Sequence, residues 1–150
     1  MTKHDFDNII EFAQEREREA VKFYIELQDK VKFAAQKEML KELEMMERGH
    51  VTMLENIKNE GAEHIATKEV KSLQISDYIV DVEPSPGMSY QDILIVAMKR
   101  EEASTRLYTD MATRFAGTDT EKLFARLAGE ESEHKIRSER LYDEQILRDN

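Results

Sequence analysis

The residues best suited to chemistry are two Glu-x-x-His pairs, Glu47 with His50 and Glu131 with His134. Side chains three residues apart on an α-helix lie on the same side. Each pair therefore offers one carboxylate oxygen and one imidazole nitrogen to a single metal ion. The second pair follows the first by 84 residues, and this spacing predicts two matching halves of one metal site.

The same offset relates Glu17 to Glu101 and Tyr24 to Tyr108. Each of these two glutamates interrupts an apolar helical stripe, where a bare carboxylate is costly unless its charge is compensated. Together with the two pairs they give a predicted set of six metal ligands: Glu17, Glu47, His50, Glu101, Glu131 and His134.

Tyr24 and Tyr108, each two helical turns after a predicted ligand, are the candidate catalytic side chains. Their hydroxyls are expected to hydrogen-bond a ligand or to act as radical sinks, and the alternative is a core tyrosine satisfied elsewhere. Glu102, Glu130 and Glu133 adjoin ligands in the sequence, but we expect them to point away from the site, on a solvated face.

Helices must position these residues, because the apolar residues around them recur at spacings of three and four. The first helix is predicted to begin near Asp5 as the N-cap residue and to end before a break at residues 29–34. The second carries Glu47 and His50 and is predicted to end at Gly61. The third and fourth are predicted to begin at capping boxes, Ser89 to Asp92 and Thr118 to Glu121.

Residues 61–88 differ from the rest because they contain both prolines and no long helical stripe. They are too apolar for a free linker, so we expect a crossover that packs over the bundle. The apolar residues concerned are Ile75, Tyr78, Ile79, Val80 and Val82. The predicted fold is all-α: a single domain over residues 1–150, forming a four-helix bundle of two antiparallel hairpins joined by this crossover.

Composition agrees with long helices, since 36% of residues are charged and only five are glycine. The net charge of −10 argues against nucleic acid and against anionic membrane surfaces as partners. No apolar run is long enough to span a bilayer and no signal-peptide core is evident, so the cytoplasm is the expected location. The chain contains no cysteine, which excludes thiolate metal sites.

A four-helix bundle can hold two metal ions with one Glu from each of two helices and a Glu-x-x-His from each of the others. Four carboxylates balance two divalent ions, and mostly oxygen donors with one imidazole per ion suit iron or manganese. We expect Glu47 and Glu131 to bridge the ions and Glu17 and Glu101 to be terminal ligands. With a redox-active metal, such a pair is a two-electron site for oxygen or peroxide.

At these residues the sequence resembles the rubrerythrin branch of the ferritin-like superfamily. The resemblance rests on Glu17-x-x-Ala20-x-x-x-Tyr24, on Glu101 with Tyr108, and on both Glu-x-x-His pairs. The segment Ile75-Ser76-Asp77-Tyr78 also resembles small ferritin-like members of that family.

The resemblance implies a ferritin-like bundle around two Fe ions, with manganese or a mixed pair as the alternative metal. It also implies a homodimer and an oxidoreductase, a peroxidase that reduces hydrogen peroxide. Two departures matter. Without cysteine the chain lacks the family's rubredoxin domain, so electrons are expected from an external rubredoxin-like protein or flavoprotein. Ser104 occupies the position of an extra carboxylate in the family.

Two other functions remain open from the sequence. One is iron binding, oxidation and storage by a subunit of a cage. The other is a structural or interaction module whose site holds zinc or no metal.

Overall fold

The computed structural model describes residues 2–65, residue 78 and residues 89–149. Helix α1 packs chiefly against α2, and α3 packs chiefly against α4. No strand occurs in the described part of the chain, so the predicted all-α four-helix bundle is confirmed. The helices are α1 (Lys3–Lys30), α2 (Ala34–Ile65), α3 (Tyr90–Arg114) and α4 (Asp119–Asp149).

Two apolar clusters, one towards each end of the bundle, establish the direction of every helix. The Phe6 cluster includes Phe6, Ile9, Ile10, Leu54, Ile57, Leu107, Met111, Phe115, Phe124 and Leu127. The Leu27 cluster includes Phe23, Tyr24, Leu27, Leu40, Leu43, Ile93, Leu94, Val96 and Leu141. Helices α1 and α4 pass from the Phe6 cluster to the Leu27 cluster, whereas α2 and α3 pass the other way. Each hairpin is therefore antiparallel, and the connection from α2 to α3 must return along the bundle.

The crossover packs on the bundle at Tyr78, which is buried in the Phe6 cluster. Its hydroxyl donates a 2.5 Å hydrogen bond to the Asp110 carboxylate, and Arg106 lies 5.6 Å from its ring centroid. Packing of the crossover over the bundle is thus found at this residue. The other apolar residues predicted to pack there lie outside the described residues: Ile75, Ile79, Val80 and Val82.

Helix α2 continues to Ile65, so the predicted end at Gly61 was wrong. A glycine ends a helix where the backbone enters the left-handed region, which other residues rarely adopt. Among the described residues only Gly117 has a positive φ, at 85°, and it follows the C-cap of α3. Inside a helix, a glycine costs only about 1 kcal/mol relative to alanine.

Helix α1 begins with Thr2 as its N-cap, not Asp5 as predicted. The Thr2 hydroxyl accepts from the Asp5 amide at 3.1 Å, and the Asp5 carboxylate accepts from the Thr2 amide at 3.1 Å. This reciprocal box satisfies two backbone donors, whereas an N-cap aspartate satisfies one.

The caps of the second hairpin follow the sequence more closely. Ser89 is the N-cap of α3 and accepts from the Asp92 amide at 3.2 Å. Thr118 accepts from the Glu121 amide at 3.3 Å, but the Glu121 carboxylate accepts from the Gly117 amide, one residue before the cap, at 2.7 Å.

None of the helices, as far as their residues are described, combines the length and apolarity that a membrane span needs.

Candidate metal centre

The middle of the bundle, between the two apolar clusters, contains the six predicted ligands. All six residues are buried, with at most 2% of their surface exposed. Helices α1 and α3 each contribute one glutamate, while α2 and α4 each contribute a Glu-x-x-His pair. The structure therefore brings together every residue of the predicted set, and their role as ligands remains a prediction.

The six side chains form two groups of four. The His50 site consists of Glu17, Glu47, His50 and Glu131, and the His134 site consists of Glu47, Glu101, Glu131 and His134. Within each group the donor atoms lie within 4.8 Å of one another. Donors on opposite sides of one ion stand about 4 Å apart when each bond is about 2.1 Å, so each group is near the size that one ion needs.

Only Glu47 and Glu131 belong to both groups. A carboxylate has two oxygens and can give one to each of two ions. The geometry thus supports the predicted arrangement, in which these two residues bridge the ions. Glu17 and Glu101 each belong to one group, as terminal ligands would.

Each imidazole contacts the Glu-x-x-His glutamate of the other hairpin. His50 Nδ1 lies 2.7 Å from Glu131 Oε1, and His134 Nδ1 lies 2.5 Å from Glu47 Oε1. The two rings stack with centroids 5.6 Å apart and planes 12° apart. Both Nδ1 atoms therefore face the carboxylates, in the direction from which a shared pair of ions would bind.

Four buried carboxylate oxygens of the six predicted ligands have no hydrogen-bond partner in the part of the chain that the structure describes. They are both side-chain oxygens of Glu101, Oε2 of Glu17 and Oε2 of Glu47. Such atoms are normally paired, because burying an unsatisfied polar group costs about 1–3 kcal/mol. A bound cation would satisfy them, so the residues fit a metal centre.

The charges of this cluster strongly perturb its titration. Burial, followed by the charge of Glu17, raises the pKa of Glu47 well above its usual value. Burial also raises the pKa of Glu101, with the Glu131 and Glu17 charges adding to it, and that of Glu131, with the Glu17 and Glu47 charges adding to it. Without metal, the cluster therefore retains protons that a cation would displace.

The pKa values of Glu17 and His50 shift in the directions expected of an ion pair, since that of the carboxyl falls and that of the imidazole rises. Burial opposes ionisation of Glu17, but the neighbouring Glu47 and His50 side chains favour its charged form and lower its pKa to about 2. His50 Nδ1 lies 3.4 Å from Glu17 Oε2. Burial disfavours charging His50, yet its carboxylate partners, Glu131 first, raise its pKa. In contrast, burial and the neighbouring His50 charge lower the pKa of His134 to about 4.

The two candidate tyrosines differ despite their matching positions. The buried Tyr108 hydroxyl donates to Glu17 Oε1 at 2.6 Å, which joins α3 to the predicted ligand on α1. The buried Tyr24 hydroxyl finds no hydrogen-bond partner among the described residues. The 84-residue repeat relates the Tyr108–Glu17 pair to Tyr24–Glu101, but that second hydrogen bond is not formed.

Replacing Tyr108 with Phe is expected to lower the free energy of unfolding of the metal-free protein by about 1–3 kcal/mol, because Glu17 Oε1 loses its donor. Tyr24→Phe serves as the matched control and should cost much less, since its hydroxyl makes no such bond. Urea denaturation of both variants measures the difference. Equal losses would show that the Tyr108 hydrogen bond contributes nothing specific.

Two further residues contact the site and were not predicted to do so. Glu130 was expected to point away on a solvated face, but its Oε2 lies 2.9 Å from His50 Nε2, and its side chain is 24% exposed. Met46 Sδ lies 3.4 Å from His134 Nε2. Each directly precedes a Glu-x-x-His pair, and this shared position is the signal of them that the sequence carries, although it does not by itself predict the contact. Glu102 and Glu133 are exposed, as predicted.

Comparison with known proteins supports this interpretation. The rubrerythrin family model matches residues 92–148. This stretch covers nearly all of α3 and α4 and contains Glu101, Tyr108, Glu131 and His134. Over these residues the chain is similar to the rubrerythrin family. No curated protein and no solved structure matches it.

The first hairpin lies outside the matched stretch. Its likeness rests on the internal repeat, and the fold places its Glu17, Glu47 and His50 in the same buried cluster as their counterparts. The buried cluster therefore contains residues of both hairpins.

Proposed function

We propose that the protein is a non-haem di-iron carboxylate oxidoreductase that reduces hydrogen peroxide or dioxygen with electrons from an external donor. The observation that carries this proposal is the sharing of Glu47 and Glu131 between the two groups of potential ligands. Each group is completed by one further glutamate and one histidine. This sharing favours a coupled pair of ions over two independent sites.

Iron suits this donor set, which combines oxygen ligands with one imidazole per ion and lacks thiolate. Manganese in one or both positions is the alternative. Two ferrous ions would supply two electrons and become ferric, while hydrogen peroxide takes up two protons and forms two waters. Four carboxylates would balance the charge of two divalent ions, which lowers the free-energy cost of burying the cluster.

The residues around the site have separate tasks in this proposal. The Phe6 and Leu27 clusters exclude bulk water from both ends of the site. Tyr108 holds Glu17 in place through its hydrogen bond. Since the chain has no cysteine, electrons would come from a separate rubredoxin-like protein or flavoprotein. We also propose that the protein is a homodimer, as the resemblance implies, and that it acts in the cytoplasm.

Stopped-flow mixing of the iron-loaded, reduced protein with each oxidant tests this function. Peroxide is expected to oxidise the iron faster than dioxygen does, and re-reduction should require an added donor. Turnover of peroxide with that donor should disappear in Glu131→Ala, while Glu133→Ala, an exposed change on the same helix, should retain it. Equal turnover in both variants would contradict the proposal.

Iron oxidation and storage is the second candidate, and Ser104 favours it. Rubrerythrins carry an exchanging carboxylate at this position, and a serine has no carboxylate to exchange. Ser104 lies half-buried in a cleft between α1 and α3 that Arg16 and Arg100 also line. Faster oxidation by dioxygen than by peroxide, with many iron atoms retained per chain in a large assembly, would establish storage instead.

A further inference from the structure

The nitrogens of the two site histidines that face away from the carboxylate cluster have different partners. His50 Nε2 contacts the Glu130 carboxylate at 2.9 Å, and His134 Nε2 contacts the Met46 thioether at 3.4 Å. Met46 and Glu130 are separated by the same 84 residues as the predicted ligands. The bundle therefore places two chemically different side chains at equivalent positions.

Glu130 is well placed to orient the His50 ring. A carboxylate oxygen accepts hydrogen bonds, so the 2.9 Å contact favours the His50 tautomer in which Nε2 carries the proton and donates it. Nδ1, on the opposite edge of the ring, is then the nitrogen left to bind an ion. Glu130 is itself held from its other oxygen, since Arg126 Nε lies 3.5 Å from its Oε1.

Met46 provides much weaker support for His134. A thioether sulfur is a poor acceptor and carries no charge, whereas hydrogen bonds to an ionised acceptor are about twice as strong as neutral ones. A carboxylate behind a metal-bound imidazole also increases the basicity of the ring. The His50 ring is therefore both better oriented and a stronger donor than the His134 ring.

We propose that Glu130 is a positioning residue that makes the His50 site the tighter of the two, so that metal fills the His50 site before the His134 site. The inference rests on the metal centre of the proposed function and adds an order of loading to it. Loss of comparable partners of metal-bound histidines typically lowers metal affinity by about 10–100-fold, and we expect a difference of this size between the two sites.

Cobalt(II) titration of the metal-free protein tests the order of loading. Paramagnetically shifted imidazole N–H signals in NMR spectra report which histidine is bound, and the His134→Gln variant assigns them. At one equivalent of cobalt the His50 signal should dominate, and the His134 signal should grow with the second. Absorbance of the cobalt ions gives the two affinities independently of catalysis.

Reciprocal variants at the two positions make the test specific. Glu130→Met should weaken the first step by about 10–100-fold, and Met46→Glu should tighten the second step. The double variant Met46→Glu/Glu130→Met should reverse the order of loading. Glu133→Gln, on the exposed side of α4, should change neither step. A tighter second step in Met46→Glu cannot arise from misfolding.

Two results would overturn the inference, and they are distinguishable. If two cobalt ions bind with equal affinity, or if the double variant keeps the original order, the role of Glu130 is refuted while the metal centre stands. If no cobalt binds at these residues, the metal centre of the proposed function is refuted with it.

Discussion

Replacing Glu47 with Ala is expected to remove both metal ions, whereas replacing Glu17 with Ala should remove or weaken only one. Glu47 contributes to both the His50 site and the His134 site, while Glu17 contributes to the His50 site alone. Without Glu47, two ions would also carry more positive charge than the three remaining carboxylates can balance. Metal content per chain, measured by mass spectrometry after loading with iron and desalting, gives the answer.

Glu133→Ala is the matched control, because it removes an exposed glutamate two residues from Glu131 and should leave two ions bound. Circular dichroism of each metal-free variant checks that the helices persist. Two ions retained in Glu47→Ala would refute the bridging role. Equal loss in the Glu17 and Glu47 variants would show that the two residues are not distinguished as terminal and bridging ligands.

The assembly of the site could be predicted because helical periodicity and the internal repeat constrain the same residues. Glu17 and Glu101 lie in the apolar stripes of their helices, and those stripes must face the core of a bundle. The repeat then requires that both hairpins place their polar residues at the same level. These two constraints locate all six side chains without any knowledge of the loops.

The role of Glu130 was not predictable in the same way. Its position next to Glu131 places it off the inward stripe of α4, and the phase of one helix says nothing about the tilt of its neighbours. Glu130 reaches His50 because α2 and α4 approach each other at this level. Such contacts depend on the packing of two helices that are distant in the sequence.

The repeat also overstated the symmetry of the site. It gave Tyr24 and Tyr108 the same expected environment, yet only Tyr108 forms a hydrogen bond with a predicted ligand. Likewise, Met46 and Glu130 occupy equivalent positions with unlike chemistry. Equivalent backbone positions do not determine hydrogen bonds, because these depend on individual side-chain rotamers and partners.

Helix ends were the least predictable part of the fold. Thr2 and Asp5 are both good N-cap residues, and only the reciprocal hydrogen bonds decide between them. Gly61 can be accommodated inside a helix at a cost that the surrounding helix offsets. Neither error moved a residue of the site, because the site lies several turns from every helix end.

The metal-free protein is expected to lose stability as pH rises from about 5 to 8. The raised pKa values of Glu47, Glu101 and Glu131 mean that the folded protein holds protons that the unfolded chain releases above its ordinary carboxyl pKa. Stability from such groups is present at low pH and is lost as pH rises through their folded pKa values. Each proton of difference changes the free energy of unfolding by about 1.4 kcal/mol per pH unit.

The histidines modify this trend without reversing it. The pKa of His134 falls to about 4, so its contribution has the opposite sign and is lost as pH falls from 6.5 towards 4. The raised pKa of His50 adds to the loss above 6.5. Glu17, whose pKa is lowered to about 2, affects only stability below about 4.5. Three carboxylates thus outweigh one histidine below pH 6.5, and the decline should steepen above it.

Thermal melting across this pH range, first of the metal-free protein and then of the iron-loaded protein, measures how the stability of each form depends on pH. Metal binding requires deprotonated ligands, so the loaded protein should gain stability over the same range.

Glu101→Gln should flatten the metal-free profile and raise the melting temperature of the metal-free protein at pH 8, because it replaces a buried carboxylate whose oxygens lack partners in the described structure. Glu102→Gln, at an exposed neighbouring position, should leave the profile unchanged. A metal-free profile that is flat or rises with pH would contradict a core of clustered, protonated carboxylates. Below pH 6.5 the only cause of the expected decline is that these carboxylates release their protons when the protein unfolds.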